Sequence, residues 1–133
     1  MIADRLTEVR ARIAAAARSV GRDPLTVRLI AVSKTIALDR ILEAYAAGQR
    51  DFGENRVQEA LQKIQSSTEF LISWHLLGHL QTNKARKAGT VFATIQSVDD
   101  VELLKKIDVA AAEAVNERTL KRWREHPDQS TAA

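Results

Sequence analysis

The sequence contains no cysteine. Disulfides and thiolate metal sites are therefore excluded, and the composition matches that expected of a cytoplasmic protein. No run of 18 uncharged apolar residues occurs, so no membrane-spanning helix is expected. Asp4, Arg5, Glu8 and Arg10 interrupt the apolar residues of the N-terminus, a pattern unlike a secretory signal. Charge of one sign is not in excess. Twenty lysines and arginines face 17 acidic residues, a net charge of +3. That balance suits a phosphorylated ligand but does not mark a nucleic-acid partner. The basic cluster Lys84, Arg86 and Lys87 lacks the interleaved aromatics that RNA recognition uses and reads as a solvated helix face. Glycine is scarce, with five in 133 residues and none after Gly89, and Tyr45 is the only tyrosine.

What is present is ordinary for a globular domain: 45% apolar and 28% charged residues in a chain long enough for one core. Leu6, Val9, Ile13, Ala16, Ala17 and Val20 recur at spacings of three and four, which predicts a helix over residues 3–20 stopped by Gly21. Four runs read as strands then alternate with helical patterns. The runs are Val27 to Ser33, Asp51 to Asn55, Ser73 to Gly78 and Val91 to Ser97. The helices between and after them are centred on Leu38–Tyr45, Val57–Ile64, Gln81–Ala88 and Asp100 to about Val115. A helix followed by four strand–helix units implies a parallel sheet with right-handed crossovers. The expected fold class is therefore α/β, with an extra N-terminal helix. Residues 1–115 are expected to form this unit, and 116–133 a polar, frayed tail.

Lys34 ends the first apolar run, and strand C-termini are where α/β folds place their chemistry. A desolvated lysine there has a lowered pKa and a nucleophilic amine, suited to Schiff-base chemistry. A lysine snorkelling to solvent is the plainer alternative. Three further loops carry polar residues at strand ends: Gly53-Glu54-Asn55-Arg56, Gly78 to Lys84, and Ser97-Val98-Asp99. In a barrel these loops share one face. His75 and His79 flank a strand end, so their spacing of four does not make a helical metal pair. No third ligand is suitably spaced. Ser33, His75 and Asp99 could be drawn as a hydrolytic triad, but no Gly-x-Ser-x-Gly elbow accompanies them.

Three segments carry a resemblance. They are Ala31 to Thr35, Ala46 to Glu59 and Trp74 to Lys84, in order and over roughly residues 5–112. They resemble the pyridoxal-phosphate homeostasis proteins, which are similar to the barrel domain of bacterial alanine racemase. The resemblance implies a (β/α)₈ barrel without the second domain of the racemases, and a function in binding and supplying pyridoxal 5′-phosphate. No robust catalytic activity is characteristic of that family, so no catalytic residue is assigned. Lys34 matches the lysine that forms a Schiff base with the cofactor. Asn55, His79, Asn83 and Ser97 match polar positions in the loops around it.

Length departs from this pattern. A complete barrel needs about 250 residues, whereas four strands are legible here. The chain is expected to be a truncated product, a partial (β/α)₈ barrel. The family's glycine-containing phosphate loops lie in the second half, which the absence of glycine beyond Gly89 leaves unmatched, so weak cofactor affinity is expected. Two alternatives stay open. One is a racemase-like enzyme, which needs a second acid/base that Tyr45, inside a helix, is badly placed to supply. The other is a non-binding fragment that pairs with another chain. The first and fourth strands are expected to be open edges, which favours self-association.

Overall fold

The computed structural model describes residues 1–125, with side chains as far as residue 114. Helix α1 spans Ile2–Ser19, and a short 3-10 turn follows at Pro24–Thr26. Four strand–helix units come next: β1 (Ala31–Val32) and α2 (Leu38–Ala46), β2 (Asp51–Glu54) and α3 (Val57–Gln65), β3 (Ser73–Leu76) and α4 (Ala85–Val91), then β4 (Thr94–Ile95) and α5 (Val101–Glu125). The sheet order is β1-β2-β3-β4 and every pair is parallel. The parallel sheet is the one expected from the alternation of patterns, and as a partial βα barrel it matches what the resemblance implies, with β1 and β4 as its two edges.

Side chains alternate across the sheet. Phe52, Trp74 and Leu76 point to the helix side and are buried there with Ile41, Val57, Ala60, Leu80, Ala88 and Leu103. Phe52 and Trp74 pair across β2 and β3 with ring centroids 5.9 Å apart. Each large side chain so buried contributes about 1.5–3 kcal/mol. Helix α2 ends before Gly48, whose φ of +99° lets the chain turn back into β2. Arg10 of α1 donates to the Ala47 carbonyl at 3.2 Å and to Gln49 Oε1 at 2.9 Å, which ties α1 to that turn.

Several boundaries differ from expectation. The helix expected over Gln81–Ala88 is a 3-10 turn at Thr82–Lys84 followed by α4, and the third strand stops at Leu76. Three further differences have a legible cause or consequence. The first strand is confined to Ala31–Val32, not Val27 to Ser33. The reason is Gln49, whose side-chain amide donates to the carbonyls of Leu29 at 2.7 Å and Asp51 at 2.8 Å. It bridges the two strand entries where a ladder would otherwise start. In the fourth run, Val91 closes α4 instead of opening a strand, and the Phe92 N–H still donates to the Ala88 carbonyl at 3.1 Å. A short apolar run suits a helix end as well as a strand. Helix α5 continues to Glu125, well past the expected end at Val115, so no element ends at that boundary. The rest of the expected tail, 126–133, lies outside the described residues. No helix among the described residues is long and apolar enough to cross a membrane.

Candidate functional site at the strand ends

The parallel register sets the four polar loops in a row. Val32 lies beside Gly53 and Gly53 beside His75, and His75 lies beside Thr94. One step further, the Ser33 N–H donates to the Gly53 carbonyl at 2.8 Å, Leu77 to Glu54 at 2.8 Å and Gln96 to Leu76 at 2.9 Å. Lys34, Asn55, Gly78-His79 and Ser97 all leave the sheet at this C-terminal edge.

Lys34 sits in a turn directly after β1 and is exposed. The desolvation expected for it is absent, because β1 is an edge with a neighbour on one side only. Its side chain has no hydrogen-bond or ion-pair partner among the described residues. The next residue, Thr35, has a φ of +62°, a left-handed conformation that β-branched residues rarely adopt.

Three residues not singled out from the sequence hold this turn. The Glu59 carboxylate accepts the Thr35 N–H at 2.8 Å. Lys63 Nζ donates to the Ser33 carbonyl at 2.8 Å and to Glu59 at 3.1 Å. Lys63 also lies 2.5 Å from Glu54 Oε1, and the Glu54 side chain is fully buried. Neither Glu54 oxygen accepts a well-aligned hydrogen bond from another described residue. Burial pushes the Glu54 carboxyl above the usual carboxylate range, against the pull of Lys63. Hydrogen bonds from Lys63 and then the Thr35 N–H hold Glu59 below it. The signal in the sequence was the pair Glu59 and Lys63, four apart on a helix that follows a strand end.

The other expected site residues divide. Asn55 and His79 line one cavity of about 260 Å³ with Arg56, Gln58, Gln81 and Lys84. Lys34 does not line it. Ser97 Oγ donates to the Gly78 carbonyl, so this hydroxyl ties β4 to the loop that carries His79. Asn83 faces elsewhere. It lines the groove between α3 and α4 with Lys84 and Lys87, and a second one with Arg86 and Lys105.

His75 lies within the sheet, 1% exposed, with Nδ1 2.6 Å from Thr94 Oγ1 and Nε2 2.9 Å from Asp51 Oδ1. It is the hydrogen-bonded strand residue expected. Ser33 Oγ donates instead to the Gly53 carbonyl at 3.2 Å. No group of three or more His, Asp or Glu among the described residues is placed to hold a metal ion.

A lysine after the first strand with no side-chain partner among the described residues, and polar loops at one sheet edge, define the class: part of a (β/α) barrel whose strand-end loops share one edge. No protein-family model matches the sequence. Individual proteins do. The chain is 44% identical over 106 residues to the pyridoxal phosphate homeostasis protein of Pseudomonas aeruginosa, a match covering 80% of this chain and 46% of that protein. It is 50% identical over 91 residues to its counterpart in Synechocystis, covering 68% and 42%. Among solved structures it is similar to PipY of Synechococcus elongatus with PLP bound, at a TM-score of 0.73 and 48% identity, over 85% of this chain and 49% of that one. The chain is a relative of the pyridoxal phosphate homeostasis proteins and matches the N-terminal half of them. It spans about half the length of the curated relatives it matches.

Proposed function

We propose that this chain binds pyridoxal 5′-phosphate at the C-terminal edge of its sheet, with Lys34 as the attachment point, and shares the cofactor-homeostasis role of its relatives. The observation that carries this reading is the Lys34 turn, fixed on both sides while its amine has no partner among the described residues. When bound, the cofactor supplies an aldehyde that a neutral primary amine attacks. The donor set fits that chemistry at the aldehyde end. Lys34 is free to react, whereas Lys63, the other lysine at the turn, donates to Ser33 and Glu59 and is ion-paired with Glu54. A fully engaged ammonium offers no lone pair.

At the phosphate end the fit is partial. Arg56 and Lys84 bring positive charge, and His79 a ring nitrogen, to the cavity that Asn55 lines, but none of the described residues lining it is a glycine. Asn55 and His79 would orient the ring and its substituents. Ser97 acts indirectly, through the Gly78 carbonyl. Asn83, in neighbouring grooves, is left without a direct role.

A racemase reading is disfavoured by Tyr45. Its hydroxyl accepts the Leu71 N–H at 3.2 Å and its ring lies under Arg50, close to where β2 and β3 begin. Lys34 is at the other end of the sheet.

Reaction with the cofactor, borohydride reduction and peptide mapping test the proposal. Label is expected on Lys34 above every other lysine and is expected to vanish in Lys34→Ala. Equal labelling of exposed lysines overturns it.

A second reading concerns association. β1 and β4 have unpaired outer edges, and Val32 on β1 is 54% exposed. Beside β1 an apolar groove of about 510 Å³ runs between Leu6, Val9, Ile36, Ile41 and Phe52. An open edge with an apolar flank invites strand addition. Sedimentation at micromolar concentration is expected to show species above the 14.8 kDa chain mass, reduced by Val32→Lys. A single species at that mass, with a cooperative melt, overturns this reading.

A further inference from the structure

The residue after Lys34 is left-handed and β-branched, so the turn needs outside support to persist. That support acts on two specific groups. The Ser33 carbonyl belongs to the peptide unit before Lys34, and the Thr35 N–H to the unit after it. Lys63 donates to the first at 2.8 Å and Glu59 accepts from the second at 2.8 Å. Glu59 and Lys63 are four apart on α3 and joined to each other at 3.1 Å. Lys63 is held in turn by Glu54, fully buried at the end of β2. The turn is thereby referenced to the interior of the sheet–helix core, while the Lys34 amine stays outside it. The contacts of Glu59 and Lys63 with the turn lie outside the ladder, in which β1 bonds to β2 through Ser33 N–H and the Gly53 carbonyl at 2.8 Å.

We propose that Glu59 and Lys63 are positioning residues for Lys34: together they clamp the two peptide units that flank it and set where its amine is presented. This role rests on the reading of Lys34 as the attachment point; the clamp itself does not. The same contacts account for selectivity between two neighbouring lysines, because the clamp engages the Lys63 amine and leaves that of Lys34 available.

The test uses the full chain and two readouts. Amide hydrogen exchange at Thr35 reports the clamp without any cofactor. Glu59→Ala removes the acceptor and is expected to speed Thr35 exchange roughly 10- to 100-fold, the loss of one charge-assisted hydrogen bond, with Trp74 in the sheet unchanged. Glu59→Gln keeps an acceptor oxygen without the charge and should fall between. Cofactor labelling with borohydride reduction reports positioning: the fraction of label on Lys34 is expected to drop in Glu59→Ala and recover in part in Glu59→Gln.

Unchanged Thr35 exchange in Glu59→Ala overturns the clamp. Faster exchange with an unchanged fraction on Lys34 overturns the positioning role. A wild-type chain that takes no label on Lys34 overturns the attachment reading and the positioning role with it, while exchange still decides the clamp. Should Glu59→Ala not fold, Glu59→Gln carries both readouts, and wild-type exchange in it overturns the proposal.

Discussion

A Cβ placed on Gly78 would lie 2.2 Å from the carbonyl oxygen of Asn55 and 2.8 Å from its Cα. The loops after β2 and β3 therefore touch backbone to backbone, and only glycine permits it. Both loops feed the cavity shared by Asn55 and His79.

Gly78→Ala is the corresponding prediction. The added methyl meets backbone, not a flexible side chain, so one loop must move. Overpacking of this kind costs about 1–3 kcal/mol. A thermal melt should show the loss, and cofactor binding should weaken beyond what the stability change explains. A melt like that of the wild type shows that the two loops are not in contact in solution.

Lys63→Met should be among the costliest single substitutions. It leaves the Glu54 carboxylate, 0% exposed, without its ion-pair partner. Breaking one side of a buried pair costs about 3–5 kcal/mol. The double variant Lys63→Met with Glu54→Gln removes the stranded charge and is expected to be more stable than the single one. Denaturant titration of the three proteins decides the matter, and a double variant worse than Lys63→Met contradicts the pairing.

The two carboxylates should respond to pH in opposite senses. Glu59 is held below the usual range by Lys63 and the Thr35 N–H. Its contribution is present above its unfolded pKa and is lost as pH falls through the lower folded value. Glu54 is raised by burial, so its contribution is complete in acid and is lost as pH rises through the folded value. Glu59→Gln should thus lower the melting temperature most near neutrality, and the gap to wild type should close below the usual carboxylate range. Glu54→Gln should show its greatest relative benefit at higher pH. A gap for Glu59→Gln that widens toward acid contradicts this assignment.

Much of the fold was legible because strand and helix periods differ and the chain alternates between them. The βα order and the parallel sheet follow from local pattern, and the edge positions of β1 and β4 follow once the sequential strand order of a barrel is taken from the resemblance. Strand lengths were not legible. Whether Val27 to Ile30 continue a strand depends on what sits beside them, and the Gln49 side chain, distant in sequence, occupies that place. The run from Val91 suits a helix end as well as a strand, and packing against the core made it the former.

The candidate site divides along the same line. The residue types at the strand ends, and so Lys34, Asn55, His79 and Ser97 as members of one edge, came from the sequence by itself, because a parallel register carries every strand end to the same face. The distances among them came only from the tertiary structure. It left Lys34 exposed, turned Asn83 into other grooves, bonded Ser97 to Gly78, and brought Glu59 and Lys63 of α3 onto the turn. Periodicity reports which face of an element a residue occupies. It does not report which element lies opposite, and the clamp on Lys34 exists only because two side chains of α3 reach the turn that follows β1.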